Sequence, residues 1–405
     1  MQERTKKDKY ISNAAFMPQE ELLETGLKKK KVSIGIPCES EENEKRVAIT
    51  PEAANILVEA GNTVIVQEGS GMGANFSDRD YSENGAQIVK TTDEVFNCDL
   101  VIKVAPFSKD EAEKLQDRRT VLSFLKVLKQ NKATLTAMMK KNITAIAFES
   151  IRDSSNELPV VESMSEISGI TAILIASEYL SNQHGGKGVM LGGISGVTPA
   201  EVVIIGAGTA GEYAARAALG LGAEVMVFDN SVQRLRRFQS TLGQRLNTSV
   251  YHPQVLDKAL KSADVLVGAI QIEDLRPWYH ITEDMVKKMK KRSFLIDLSI
   301  DRGGCIETIE CRDLKDPVYE KHGVTHYSAW NLPSRVARTA SIALSNVFTP
   351  LIQEMADRGG LDHMLKTNRG LSNGVYVYKG ILTNETLGQK FNLLSKDINL
   401  LLAAF

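Results

Sequence analysis

The chain of 405 residues has little cysteine, little tryptophan, almost no net charge and no long uninterrupted apolar run. Its four cysteines, Cys38, Cys98, Cys305 and Cys311, form no C-x-x-C pair, so neither a zinc site nor a disulfide framework is indicated. No metal is expected, and reduced thiols in a cytosol are the ordinary reading. A formal net charge of -1 gives no basic surplus for nucleic acid or an anionic membrane. The lysines at 28–31 and the basic run 287–292 read as solvated surface. No segment holds the roughly 18 consecutive apolar residues of a spanning helix, and the charged start lacks the apolar core of a signal peptide. The expectation is a soluble cytoplasmic protein, long enough to bury two cores.

What the chain does contain is centred on residues 202–229, VVIIGAGTAGEYAARAALGLGAEVMVFD. The β-branched run 202–205 reads as a buried parallel strand. Gly206, Gly208 and Gly211 then give G-x-G-x-x-G at the mouth of a helix. The first glycine permits the tight turn, the second lets a pyrophosphate approach the backbone, and the third lets helix and strand pack closely. Free N–H groups and the helix dipole favour an anion there. A second strand, 225–228, ends at Asp229, where a carboxylate can hold the hydroxyls of an adenosine ribose. A glycine motif alone is weak, but strand, turn, helix, strand and acid in this order specify a dinucleotide site. Asp229 favours NAD over NADP by repelling a 2′-phosphate, although Arg234, Arg236 and Arg237 follow it closely.

Around this motif, strands and helices alternate. Residues 1–30 look like an extension with one amphipathic helical stretch at 18–26. Strands are expected from Val32, at 63–67, 99–104, 120–124 and 144–148, with helices at 51–60, opened by Thr50 as N-cap and Pro51, and at 132–141. A long helical pattern at 163–180 leads to a glycine-rich loop or short hairpin at 184–198. Strands at 265–269, 294–298 and 324–327 and a helix at 282–290 follow. A second long helical pattern, TASIALSNVFTPLIQEMADRG, begins after Arg338. The fold class is therefore α/β.

Several separated stretches occur in an order that resembles alanine dehydrogenase, and more distantly the nucleotide-binding part of nicotinamide nucleotide transhydrogenase. They are IGIPCESEENEKRVAITPE, VIKVAPF, PVVESMSEISG, GGKGVMLGGISGV, the glycine motif, IDLSIDRGG and YEKHGVTHYSAWNLP. The resemblance implies two Rossmann-like domains with parallel sheets, joined by two long helices, with the active site in the cleft and a homo-oligomer, commonly a hexamer. Residues 31–160 and 339–405 would form the substrate domain and 161–338 the NAD domain. The implied partner is a small amino acid or 2-oxo acid, and the implied activity is NAD-dependent oxidation of the amino acid. A dehydrogenase for another amino or oxo acid, an opine-type enzyme, and a transhydrogenase-like nucleotide binder without turnover remain alternatives.

The resemblance assigns Arg46 to the substrate carboxylate, onto which a planar guanidinium can fork. Lys103, ending an apolar strand, matches the lysine on the substrate carboxylate or carbonyl oxygen, and Asp301 matches an aspartate at a strand end. Ser165, Asp229, Arg234, Ile270 and Asn331 match cofactor contacts, Asn331 also lying by the substrate. The family has a histidine as acid/base where SFLKVL places Lys126. Crowding by Lys103 and Arg46 in a closed cleft is expected to make the Lys126 proton easier to lose. The stretch QIEDLRPWYH at 271 and Ser334, where glycine is usual, are further departures.

Two binding outcomes follow. Gly208→Val should abolish NADH binding while the protein stays folded, because the new side chain would occupy the pyrophosphate position. Unchanged NADH affinity in a fluorescence titration would refute that role. NADH should also bind well ahead of NADPH, and equal affinities would mean that the arginines after Asp229 prevail.

Overall fold

The computed structural model describes residues 29–127, 130–243, 246–270, 280–300, 303–312 and 314–404. The expected helix at 18–26, Asp301 and most of the loop 271–280 lie outside these residues.

The first strands in the chain are β1 (Ser33–Ile36), β2 (Thr63–Gln67), β3 (Gln87–Val89), β4 (Leu100–Ile102), β5 (Thr120–Ser123) and β6 (Thr144–Ala147). A second series follows: β7 (Glu201–Ile205), β8 (Glu224–Phe228), β9 (Asn247–Ser249), β10 (Val265–Gly268), β11 (Phe294–Asp297), β12 (Val318–Lys321) and β13 (Val324–Tyr327). The chain ends with β14 (Val375–Tyr378) and β15 (Ile381–Leu382). One sheet has the order β15-β14-β6-β5-β4-β1-β2-β3, the other β12-β13-β11-β10-β7-β8-β9. Every residue of β4, β6, β10 and β11 is buried, as expected of parallel strands covered on both faces.

The sheets are parallel except at one edge of each, where β14 pairs antiparallel with β6 and β15, and β12 pairs antiparallel with β13. These edges escape sequence reading, as do the strands β3 (QIV) and β9 (NTS), which lack the continuous apolar run that marks a strand as short as β4 (LVI). The expected helix at 282–290 is helical only over Glu283–Val286.

In both sheets the chain reverses direction across the sheet between the first strand and the fourth, β1 and β4 in one and β7 and β10 in the other. Crevices for ligands open at the carboxyl ends of strands at such switch points. The loop 37–46 leaves β1 and Lys103 leaves β4; Gly206 leaves β7 and Ile270 follows β10.

Two helices of 21 residues, Pro159–Tyr179 and Ala337–Asp357, pack against each other. The first begins four residues earlier than its periodicity suggests, with Pro159 in its first turn. Its Val160 and Met164 belong to the core under the first sheet, and its Ala172, Ile173 and Ala176 to that under the second. It is long and apolar enough, by length and composition, to cross a membrane. Gly169 brings it against the helix Thr209–Gly220, where a Cβ would stand 2.3 Å from the Ala210 carbonyl oxygen.

The helix Ala337–Asp357 and the turn before it fix the segment KRVAIT. The backbone N–H groups of Lys45, Val47 and Thr50 donate to Ser334 Oγ (2.7 Å), Ser341 Oγ (2.9 Å) and Ser345 Oγ (2.8 Å). Ser345 Oγ also donates to the Ala48 carbonyl, and the buried Tyr81 hydroxyl donates to Ile49 O at 2.6 Å. A segment outside any helix or strand thus has these backbone groups satisfied by side chains. Ser345→Ala leaves two buried backbone groups unpaired, so it should cost about 1–3 kcal/mol in a urea unfolding curve. A variant as stable as the parent would show that this anchoring is not required.

Candidate active site

The loop PCESEENEKR after β1 carries acids at Glu39, Glu41, Glu42 and Glu44, and each meets a cation. Both oxygens of Glu39 accept backbone N–H groups just past β4, from Val104 at 2.5 Å and Ala105 at 3.0 Å. Lys103 is 1% exposed, so its ammonium needs partners. Its Nζ donates to Glu111 Oε1 at 2.7 Å and Ser40 Oγ at 3.2 Å, and stands 3.9 Å from Glu39 Oε2. Burial pushes the Glu39 carboxyl up to about 7 against the opposing charge of Lys103. Burial also works to raise Glu111, but the charge and hydrogen bond of Lys103 outweigh it and hold Glu111 below its ordinary range.

Arg46 is 3% exposed and forks onto Glu44, Nε to Oε1 at 2.7 Å and Nη2 to Oε2 at 2.6 Å. Burial opposes ionisation of Glu44, yet the charge and hydrogen bonds of Arg46 hold its carboxyl below the usual range, with Lys126 adding to the effect. Asn331 Nδ2 donates to Glu44 Oε2 at 3.0 Å, and Ser334 Oγ lies 3.4 Å from Oε1. Asn331 takes a left-handed conformation, φ 64°, which asparagine tolerates.

Lys126 is also left-handed, φ 46°, an uncommon state for a side-chain-bearing residue. Glu149 Oε1 holds the turn by accepting from Leu125 N (2.9 Å) and Lys126 N (3.2 Å). The ammonium stands 3.4 Å from Glu41 Oε2, 4.5 Å from the Trp330 ring centre and 5.9 Å from that of Phe124. Phe124 carries the Arg46 guanidinium at the same 5.9 Å.

Arg46, Lys103, Lys126 and Asn331 therefore lie in one cluster, but its charge pattern differs from the expected crowding of cations. Carboxylates alternate with the cations, and a neighbouring anion favours a charged ammonium. The Nε and Nη2 edge of Arg46, which would fork onto a substrate, holds Glu44; Nη1 points to Met164 Sδ at 3.3 Å. The residues that sequence reading passed over are Glu39, Glu41, Glu44, Glu111 and Glu149. The available signal was the alternation ESEENEK, acids every second or third position before a cation.

At the second switch point, Gly206 has φ 113°, and a Cβ there would lie 2.5 Å from the Ala269 carbonyl oxygen. A Cβ on Gly211 would lie 2.0 Å from Gly206 O, so first and third glycines are needed for packing. A Cβ on Gly208, the N-cap of Thr209–Gly220, meets no protein atom within 4 Å. That helix start has no side-chain cap, which fits a pyrophosphate cradle. Asp229 follows β8, 6% exposed, accepting from Ala207 N at 2.9 Å and Ser231 N at 2.7 Å, with Arg234 3.9 Å away. Ile270 follows β10 beside Gly206. Ser165 stands four residues before Gly169, hence on the helix face turned to the glycine motif. Four residues before Asp301 in the sequence, the buried Asp297 accepts from Ser299 N, Ser299 Oγ, Cys305 N and Ile306 N and so ties residues 299, 305 and 306 to the end of β11. Burial raises its carboxyl.

Residues 35–168 match the family described as Alanine dehydrogenase/PNT, N-terminal domain, and residues 172–385 match Alanine dehydrogenase/PNT, C-terminal domain. An alanine dehydrogenase of Staphylococcus saprophyticus is 38% identical over 368 residues, 90% of this chain and 98% of the relative. An alanine dehydrogenase 2 of Staphylococcus aureus is 36% identical, over 91% of this chain and 98% of that protein. A solved L-alanine dehydrogenase superposes with a TM-score of 0.83 at 33% identity, covering 88% of this chain and 98% of its own. A transhydrogenase from Sinorhizobium meliloti, TM-score 0.74 at 23% identity over 86% and 98% of the two chains, shares the fold. With both family domains matched in order, and with the glycine cradle and the buried cations at the two switch points, the chain belongs to the alanine dehydrogenase/PNT family.

Proposed function

We propose that the protein is an NAD-dependent alanine dehydrogenase, interconverting L-alanine, NAD and water with pyruvate, ammonia and NADH. The observation that carries this reading is the convergence of Arg46, Lys103 and Lys126 on one acidic loop in a chain with both family domains. Bound at Gly206, Gly208, Gly211 and Asp229, with Ser165, Arg234, Ile270 and Asn331 around it, NAD supplies the hydride acceptor. Residues 31–160 and 339–405 serve the substrate and 161–338 the cofactor, in a cytoplasmic homo-oligomer.

The chain's own groups position the substrate and move protons. Lys103 and the Nη1 side of Arg46 take the carboxylate and carbonyl oxygen of the small acid. Glu44 keeps the guanidinium in one plane by occupying its other edge. Lys126 exchanges protons with the substrate, with Glu41 as the anion that stabilises its charged form. Asp301 orients the water that adds to the imine, stabilises the cationic intermediates, or does both.

Arg46→Lys keeps the charge but loses the fork with Glu44. It should cut kcat/KM for pyruvate about 100-fold, ~2.7 kcal/mol of transition-state stabilisation, with NADH affinity unchanged. Intact turnover would place Arg46 outside the substrate site. Lys126→Met should remove nearly all turnover with alanine, and Lys126→His should retain or raise it, since it restores the family acid/base. The presence of Lys126 in the histidine's place favours a second reading, a nucleotide-binding relative that has left amino-acid chemistry. A wild type inactive on alanine beside an active Lys126→His variant would establish it.

A further inference from the structure

Lys103 lies between two carboxylates, Glu111 at 2.7 Å and Glu39 at 3.9 Å, and among the described residues it is the one cation paired with these acids. All three groups are shielded from water, with side-chain exposures of 0% for Lys103, 14% for Glu111 and 8% for Glu39. Two anions against one cation in such a place leave an excess negative charge, which burial disfavours. Glu111 has the short contact and also accepts from Ser108 N, so it keeps its charge. Glu39 has the long contact; Val104 N and Ala105 N favour its ionised form, but burial outweighs them and raises its carboxyl, so it is the acid of the pair that takes up a proton more readily.

We propose that Glu39 is a positioning residue for the substrate anion, which acts through Lys103: uncharged, it leaves the ammonium to the incoming carboxylate or carbonyl oxygen, and ionised, it competes for it. This rests on the assignment of Lys103 to the substrate. The groups that face Glu39 are Lys103 beyond β4, and Glu44 and Cys38 in its own loop; Glu111 and Arg46 stand behind Lys103 and Glu44. Of these, Glu44 and Glu111 are held below the ordinary carboxylate range, and burial pushes the Cys38 thiol up. Glu39, at about 7, is the member of this set that changes charge near neutrality.

The sign follows. Glu39 is neutral below its titration, where the oxo acid binds best, and affinity falls as pH rises through it. Pyruvate binding in turn draws a proton onto Glu39, since the arriving anion disfavours a second one, and the two effects are reciprocal.

The test uses the NADH-loaded full chain. Calorimetry of pyruvate binding in buffers of different ionisation enthalpy, near neutral pH, should show proton uptake. The pyruvate KM at saturating ammonium should rise by up to about tenfold from about pH 6 to about pH 8, the limit for a single proton that titrates at about 7 and favours binding. Glu39→Gln should lose both the uptake and the rise, with NADH affinity kept. Proton uptake or a KM rise that persists in Glu39→Gln overturns the inference, as does a wild type that turns over pyruvate with neither effect; in both cases the dehydrogenase reading stands. If Glu39→Gln does not fold, the wild-type calorimetry alone decides. A wild type that neither binds nor reduces pyruvate refutes the dehydrogenase reading, and this inference with it.

Discussion

Lys103 and Arg46 are charged groups placed almost wholly out of water, and an unpaired ion in such a position costs several kcal/mol. The loop after β1 answers this constraint for Arg46 with Glu44 and for the more accessible Lys126 with Glu41, while Lys103 has its charged partner in Glu111 and only a long contact to Glu39. The loop itself must then be rigid. Its backbone is held by Ser334, Ser341 and Ser345, and the Glu44 carboxylate by Asn331. Charge pairing, serine anchoring and the packing of the two long helices are thus one arrangement, and it holds the buried cations beyond the carboxyl ends of β1 and β4.

Both halves place their chemistry by the same topological device. The strand order reverses between β1 and β4 and again between β7 and β10, and the working groups leave the carboxyl ends of those strands. Gly169 lets the helix Pro159–Tyr179 lie against the start of the glycine-motif helix while Met164, five residues earlier, touches Arg46. One helix therefore links the glycine-motif helix to the buried Arg46 within about one and a half turns.

The glycine motif was fully legible because each glycine answers a local geometric need: φ 113° at Gly206, a 2.0 Å approach at Gly211, and open space at Gly208. Long buried strands such as β7 and β8 were equally plain, to within a residue. Strands β3, β9 and β14 were not, since QIV and NTS hold at most two apolar residues in a row and β14 pairs across more than two hundred residues of chain. The identities of Arg46, Lys103 and Lys126 could be read, but not their surroundings. Which acid meets which cation depends on the path of the loop, and a sequence shows only that ESEENEK is rich in both.

The most direct test of the account is the fate of the alanine Cα hydrogen. With alanine deuterated at Cα, NAD and the native protein, the account predicts one deuterium on C4 of the NADH formed and a slowed rate relative to unlabelled alanine. Protein that binds NADH but yields no NADH from alanine, or yields NADH without the label, would contradict it.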